Sequence, residues 1–186
     1  HYRSHSFPTR RSSDLEESLL VKELKTILSL IEKSEFKIEE KFEDIHSKIE
    51  FYLTDKLGDL GKKIHTGRSR NDQVLVALQL YFKDEILIIK NKIKELFDTL
   101  IILSKKNSKH LLPGYTHLQS AMPSSFGLWF SSYAENMIDD VLYFNTAFQI
   151  NDQNPLGSAA GYGSSFNIDR KMTTKELGFR DRKSVV

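Results

Sequence analysis

The chain has 186 residues, 39% of them hydrophobic and 28% charged, with a formal net charge of +2 and no cysteine. Such a composition admits one globular domain or parts of two, and it excludes disulfides and thiolate metal sites. No apolar run is long enough to span a bilayer and no signal peptide is visible, so no membrane partner and a cytoplasmic location are expected.

Both ends stand apart from the rest. His5–Asp14 reads His-Ser-Phe-Pro-Thr-Arg-Arg-Ser-Ser-Asp, and 181–186 reads Asp-Arg-Lys-Ser-Val-Val. The first can be encoded by CACTCTTTCCCTACACGACGCTCTTCCGAT and the second by GATCGGAAGAGCGTCGTG. The reverse complement of the second overlaps the first in another frame. Residues 1–15 and 181–186 are therefore expected to be adapter-derived and are set aside from the fold reading. They hold five of the 27 basic and two of the 25 acidic residues, leaving 22 against 23. The apparent basicity is theirs, and no nucleic-acid partner is expected.

Residues 16–40 show helical spacing, with Leu19, Leu20, Leu24, Ile27, Leu28, Leu30 and Ile31 separated by charges. Glu43-Asp44-Ile45-His46 follows, a polar face that is either functional or solvated. A second amphipathic stretch then runs through Ile49, Tyr52 and Leu53. Gly58 and Gly61 interrupt the pattern, which predicts a loop over Leu57 to Arg70. From Asn71 to about Lys105 one long helix is predicted. Val74, Leu78, Phe82, Ile86, Ile89, Ile93, Leu96, Leu100 and Leu103 recur every three or four residues, and neighbouring apolar positions widen the stripe. A helix of that girth belongs in a bundle. Asn107 to Ser125 is a break punctuated by Pro113-Gly114 and Pro123, with Pro123 and Ser124-Ser125 suited to a helix start. The next stripe, Phe126, Phe130, Tyr133, Met137, Val141, Phe144 and Phe148, ends near Asn151. A small-residue loop covers Asn154 to Gly163, and Phe166 to Gly178 reads as loop leading into a short helix with Asp169 near its start. There is almost no strand signal. The fold class is all-α.

Two polar breaks carry the candidate chemistry. His65 to Gln73 contains no large apolar side chain, and it leads directly into the long helix. Gly67 lets the backbone turn, and Ser69, Asn71 or Asp72 can cap the first turn. Free N–H groups at a helix start, flanked by Arg68 and Arg70, suit a ligand with several carboxylates. An ordinary capped helix with solvated arginines reads the same way. In the second break His117 lies among Thr116 and Gln119, where an imidazole can take a proton and its neighbours can orient a carboxylate or amide. Plain polar loop chemistry is the alternative. No His, Asp and Glu cluster has metal-ligand spacing, and no phosphate-cradling glycine motif follows a strand. The two long helices should pack antiparallel, which puts the two breaks at opposite ends of one chain. A single site using both needs parts from different subunits.

Gly61 to Val74 resembles the first signature of the argininosuccinate lyases, in the fumarase/aspartase superfamily, and Pro113 to Gln119 resembles their second. Pro155-Leu156-Gly157-Ser158, Ile168-Asp169-Arg170 and Glu43 to His46 match further landmarks in the same order. The resemblance covers residues 16–180, and the Arg-Ser-Arg-Asn-Asp element distinguishes it from sister lyases. It implies an all-helical fragment: 16–67 as part of an N-terminal domain and 68–180 as the start of a central helical bundle. It implies reversible β-elimination of argininosuccinate to arginine and fumarate, no metal or organic cofactor, and a homotetramer with sites shared between chains. On that resemblance Asn71 and Thr116 bind substrate, Ser69, Arg70, Asp72 and Gln119 line the same pocket, and His117 is the acid/base histidine. Another lyase of the superfamily, or a crystallin-like homologue without activity, is the alternative. Two departures stand out. Met122 occupies a position that is usually Gln, and the family's third signature, a mobile loop with a catalytic serine, does not occur in the chain.

Overall fold

The computed structural model describes residues 10–157, 159, 163–165 and 167–182. The chain divides into two compact units, His1–Arg70 with Ala159–Phe166 and Asn71–Ser158 with Asn167–Val186.

The first unit is built on helix α1 (Arg10–Glu32), helix α2 (Ile45–Leu57), a short helix α3 (Asp59–Lys62) and a 3-10 turn at Lys63–His65. The helix predicted over 16–40 stops at Glu32, and α1 begins inside the stretch set aside at the N-terminus. The most buried side chains are Ile27 and Leu53, 2% and 0% exposed. Each sits on the apolar stripe of its helix, so the stripe does select the core face. Asp44 caps α2, its Oδ1 accepting from the Ser47 amide at 2.7 Å, and Gly58 ends the helix with a φ of 60°. The loop predicted over Leu57 to Arg70 is corrected here. Gly61 has no Cβ, and one placed there would lie 2.4 Å from the Leu53 backbone. That close approach lets a helical turn fold back against α2 where the glycines suggested only irregular chain. Lys63 then pairs with Glu16 of α1 at 2.7 Å.

In the second unit, helix α4 (Arg70–Lys106) is followed by strands β1 (Leu111–Thr116) and β2 (Gln119–Ser125), then helix α5 (Phe126–Asn151). Both long helices lie where the periodicity predicts them. Ser125 caps α5, accepting from the Leu128 amide. The helices run antiparallel: Ser104 Oγ donates to the Gly127 carbonyl at 2.7 Å, and Asn151 Nδ2 donates to the Gln79 carbonyl at 2.7 Å. Between these ends Ile93 and Phe97 face Met137 and Val141 across a hollow of about 400 Å³. After α5 come strand β3 (Gln153–Asn154), helix α6 (Arg170–Glu176) capped by Asp169, and strand β4 (Asp181–Arg182), which pairs with β3. Lys83 Nζ, mostly buried, reaches Asp152 at 2.5 Å and the Gly178 carbonyl at 2.6 Å. Asn154 is fully buried and satisfied, donating to Thr173 and Thr174 and accepting from the Leu156 amide. The Asn154–Gly163 loop is described only in part, because Ser158, Ala160, Gly161 and Tyr162 lie outside the described residues, as does Phe166.

The break over Asn107 to Ser125 holds two strands that the sequence pattern does not signal, within a chain that is mainly helical. β1 and β2 form an antiparallel hairpin pairing Leu111 with Ser125 and Thr116 with Gln119. Gly114 lies at an irregularity in the register, where a Cβ would come within 2.7 Å of the Met122 carbonyl oxygen. That contact explains why a Pro-Gly dipeptide can sit inside a ladder. Pro123 lies in β2, and the helix starts three residues later.

Candidate functional site

The first polar break folds as the sequence indicates at its turn and at its helix start. Gly67 has a φ of 70°, and α4 opens at Arg70, placing Ser69 just before the first helical residue and Asp72 in the first turn. An acidic residue there opposes the partial positive charge of the free amides. In the first unit, Arg70 Nη1 is bound by the Glu43 carboxylate, with Asp44 Oδ2 at 3.9 Å. The Glu43 hydrogen bond is the main reason the guanidinium is held above its ordinary pKa. Asp44 shifts the other way: the Ser47 amide and hydroxyl stabilise its carboxylate and hold its pKa below the usual range. Near it, His65 Nδ1 lies 2.8 Å from Glu50 Oε2. In the sequence Glu43 to His46 is a polar face of open purpose that also matches a landmark of the family. The signal for an Arg70 contact was the pairing of two acidic side chains with a nearby arginine cluster, but nothing in the spacing fixed which would meet.

The second break ends in the helix start that Ser124-Ser125 suggest, but its polar residues stand on a hairpin ahead of it. His117 and Leu118 form the tip of the β1–β2 hairpin with φ of 50° and 62°, both in the left-handed region that two-residue hairpin turns require. Asn-Gly is the usual solution. A histidine and a leucine here carry backbone strain that a purely structural turn would avoid, and strain of this kind gathers at functional sites. Thr116, His117 and Gln119 are all exposed, and Leu118 is 100% exposed. Behind the tip, Leu112, Pro113, Tyr115, Phe126 and Trp129 line a hollow of about 680 Å³.

Within the second unit the two groups of residues do not meet. Asn71 and Asp72 lie at the start of a 37-residue helix, about 50 Å from its other end at 1.5 Å per residue. The hairpin leaves that far end, and its six-residue arm spans about 20 Å. Even folded straight back it leaves His117 about 30 Å from Asn71. Among the described residues no group of three or more His, Asp and Glu side chains is placed to hold a metal, and no helix is long and apolar enough to cross a membrane.

Long antiparallel helices with a polar cluster at each end are the frame of a helical bundle. A family model described as Lyase matches residues 12–185; the chain belongs to this lyase family. It is 56% identical over 161 residues to an argininosuccinate lyase of Phocaeicola vulgatus, an alignment covering 87% of this chain and 36% of that protein. It is likewise 56% identical over 160 residues to an argininosuccinate lyase of Bacteroides thetaiotaomicron, covering 86% and 36%. The chain thus spans about a third of the length of the curated relatives it matches. Among solved structures, an EDDS lyase variant with bound fumarate superposes with a TM-score of 0.73 at 20% identity, covering 90% of this chain and 31% of that one. That likeness supports the all-helical bundle fold.

Proposed function

We propose that the chain is part of an argininosuccinate lyase, which cleaves argininosuccinate reversibly to arginine and fumarate in arginine biosynthesis, without metal or organic cofactor. The observation that carries this reading is the 56% identity to proteins of that name, which spans both polar breaks. In this reaction a base removes a proton from the carbon beside a carboxylate, so extra negative charge gathers on that carboxylate. The C–N bond to the guanidino nitrogen then breaks, and that nitrogen is protonated as arginine leaves. Arg70, Asn71, Ser69 and Thr116 are donors suited to stabilising the charge where it develops. His117 carries a proton in or out, with Gln119 and Asp72 shaping the pocket. The separation of Asn71 from His117 within one chain favours a homotetramer in which neighbouring chains supply the two groups. The enzyme is cytoplasmic. Met122 removes one polar contact from the hairpin, where it is 81% exposed.

Fumarate release from argininosuccinate by the purified complete protein is the test. Turnover is expected. A folded tetramer that binds arginine or fumarate without turnover would instead make the protein a structural homologue, and one that turns over a different succinyl compound would make it a sister lyase.

A further inference from the structure

We propose that Glu43 is a built-in competitor of the substrate: its carboxylate occupies the Arg70 guanidinium and is exchanged for a substrate carboxylate on binding, so that Glu43 sets affinity. This rests on the reading of Arg70 as a substrate contact. Three acidic side chains bear on Arg70, namely Glu43, Asp44 and Glu50. Two of them are committed elsewhere. Asp44 Oδ1 accepts from the amide and the hydroxyl of Ser47 at 2.7 and 2.8 Å, which caps α2, and its other oxygen stays 3.9 Å from Arg70. Glu50 is paired with His65 at 2.8 Å. Glu43 alone makes the hydrogen bond, and its side chain is 77% exposed. Leaving Arg70 therefore returns it to water at no cost in burial.

The anchor of Glu43 keeps it in reach after it leaves. Its neighbour Phe42 packs on Phe51 of α2, ring centroids 5.3 Å apart, and Asp44 is fixed as the cap. A carboxylate tethered on both sides competes at a high effective concentration. Each contact is weak because an exposed ion pair is largely solvated. The competitor is thus strong enough to raise the substrate concentration needed and too weak to block the site. A guanidinium takes a carboxylate through its planar fork, so Glu43 and a substrate carboxylate that pairs through Nη1 compete for the same donor.

The experiment uses the complete assembled enzyme and compares wild type with Glu43→Gln, Glu43→Asp and Arg70→Lys. KM and kcat are measured with argininosuccinate, and fumarate affinity by calorimetry. Glu43→Gln is expected to lower KM and tighten fumarate binding roughly two- to fivefold, the range of an exposed ion pair, with kcat unchanged. Glu43→Asp, which keeps the charge on a shorter arm, should fall between. Unchanged or raised KM in Glu43→Gln overturns the inference, since it makes Glu43 a bystander or a support for Arg70, and leaves the role of Arg70 standing. Wild-type kinetics and fumarate binding in Arg70→Lys would instead remove Arg70 from the site, and the inference with it.

Discussion

His117 and Leu118 hold positive φ angles at a fully exposed turn, and this makes one substitution unusually clean. Asparagine tolerates the left-handed region better than histidine does, so His117→Asn should leave the hairpin intact while removing the ability to carry a proton near neutral pH. General acid–base catalysis is typically worth about 10²- to 10⁴-fold. In the complete enzyme kcat is expected to fall by that order with the assembly unchanged, and to fall nearer the low end if the loop serine is the base. The shape of the pH–rate profile should also change, because a group that moves a proton has been removed. Wild-type kcat with an unaltered profile would exclude the assignment. His117 stands out in the sequence as a candidate because of its hydrogen-bonding neighbours. Its backbone conformation does not, because neither histidine nor leucine announces a tight turn.

Among elements, the long helices were legible and the hairpin was not. Val74 to Leu103 and Phe126 to Phe148 repeat every three or four residues over many turns, so each stripe is confirmed many times within its own sequence. The hairpin depends on Leu111 finding Ser125, fourteen residues away, while Pro113, Gly114 and Pro123 argue locally against a strand. The short helix α3 was missed for a related reason: Gly61 reads as a breaker, yet its missing side chain is what lets Leu53's backbone come close. The same logic gives a prediction at the contact of α4 with α5. A Cβ on Gly127 would lie 2.6 Å from Ser108 Cα and 2.8 Å from the Ser104 carbonyl oxygen. Both are backbone atoms that cannot rotate away. Gly127→Ala should therefore destabilise the complete protein by about 1–3 kcal/mol, as overpacking does. Ser125→Ala, which removes only the α5 cap, should cost about 1 kcal/mol. Denaturant melts measure both, and a Gly127→Ala protein as stable as wild type would mean the helices are not packed this closely.

For the whole molecule the deciding feature is how little of it is covered. Leu75, Leu78, Phe82, Ile88 and Leu96 of α4 and Leu128, Trp129, Tyr133, Leu142 and Tyr143 of α5 are each more than 40% exposed. Burial is worth about 25 cal/mol per Å² of apolar surface, and these faces forgo it while the chain still loses conformational entropy. The 186-residue chain by itself is therefore expected to self-associate or to melt without cooperativity. A sharp, concentration-independent monomer transition in calorimetry would refute this. The terminal segments allow a separate check. If residues 1–15 and 181–186 come from adapter DNA, the parent locus will carry other codons there; native codons running unbroken through both stretches would refute the adapter origin. The structure carries α1 back to Arg10 and pairs Asp181 and Arg182 with β3, so a backbone that accepts these residues does not by itself reveal where they came from.

The two hydrogen bonds between α4 and α5, Ser104 to Gly127 and Asn151 to Gln79, tie stretches of helix that are each about 36 Å long. This fixes how the gene can tolerate insertions and deletions. One residue added between Gln79 and Ser104 would advance that helix by about 1.5 Å and turn everything beyond it by about 100°, swinging Ser104 away from Gly127. The same residue added to both helices would keep the two ends level but would still rotate each stripe. Length changes in this pair should therefore appear only as matched events in both helices and in steps close to whole turns.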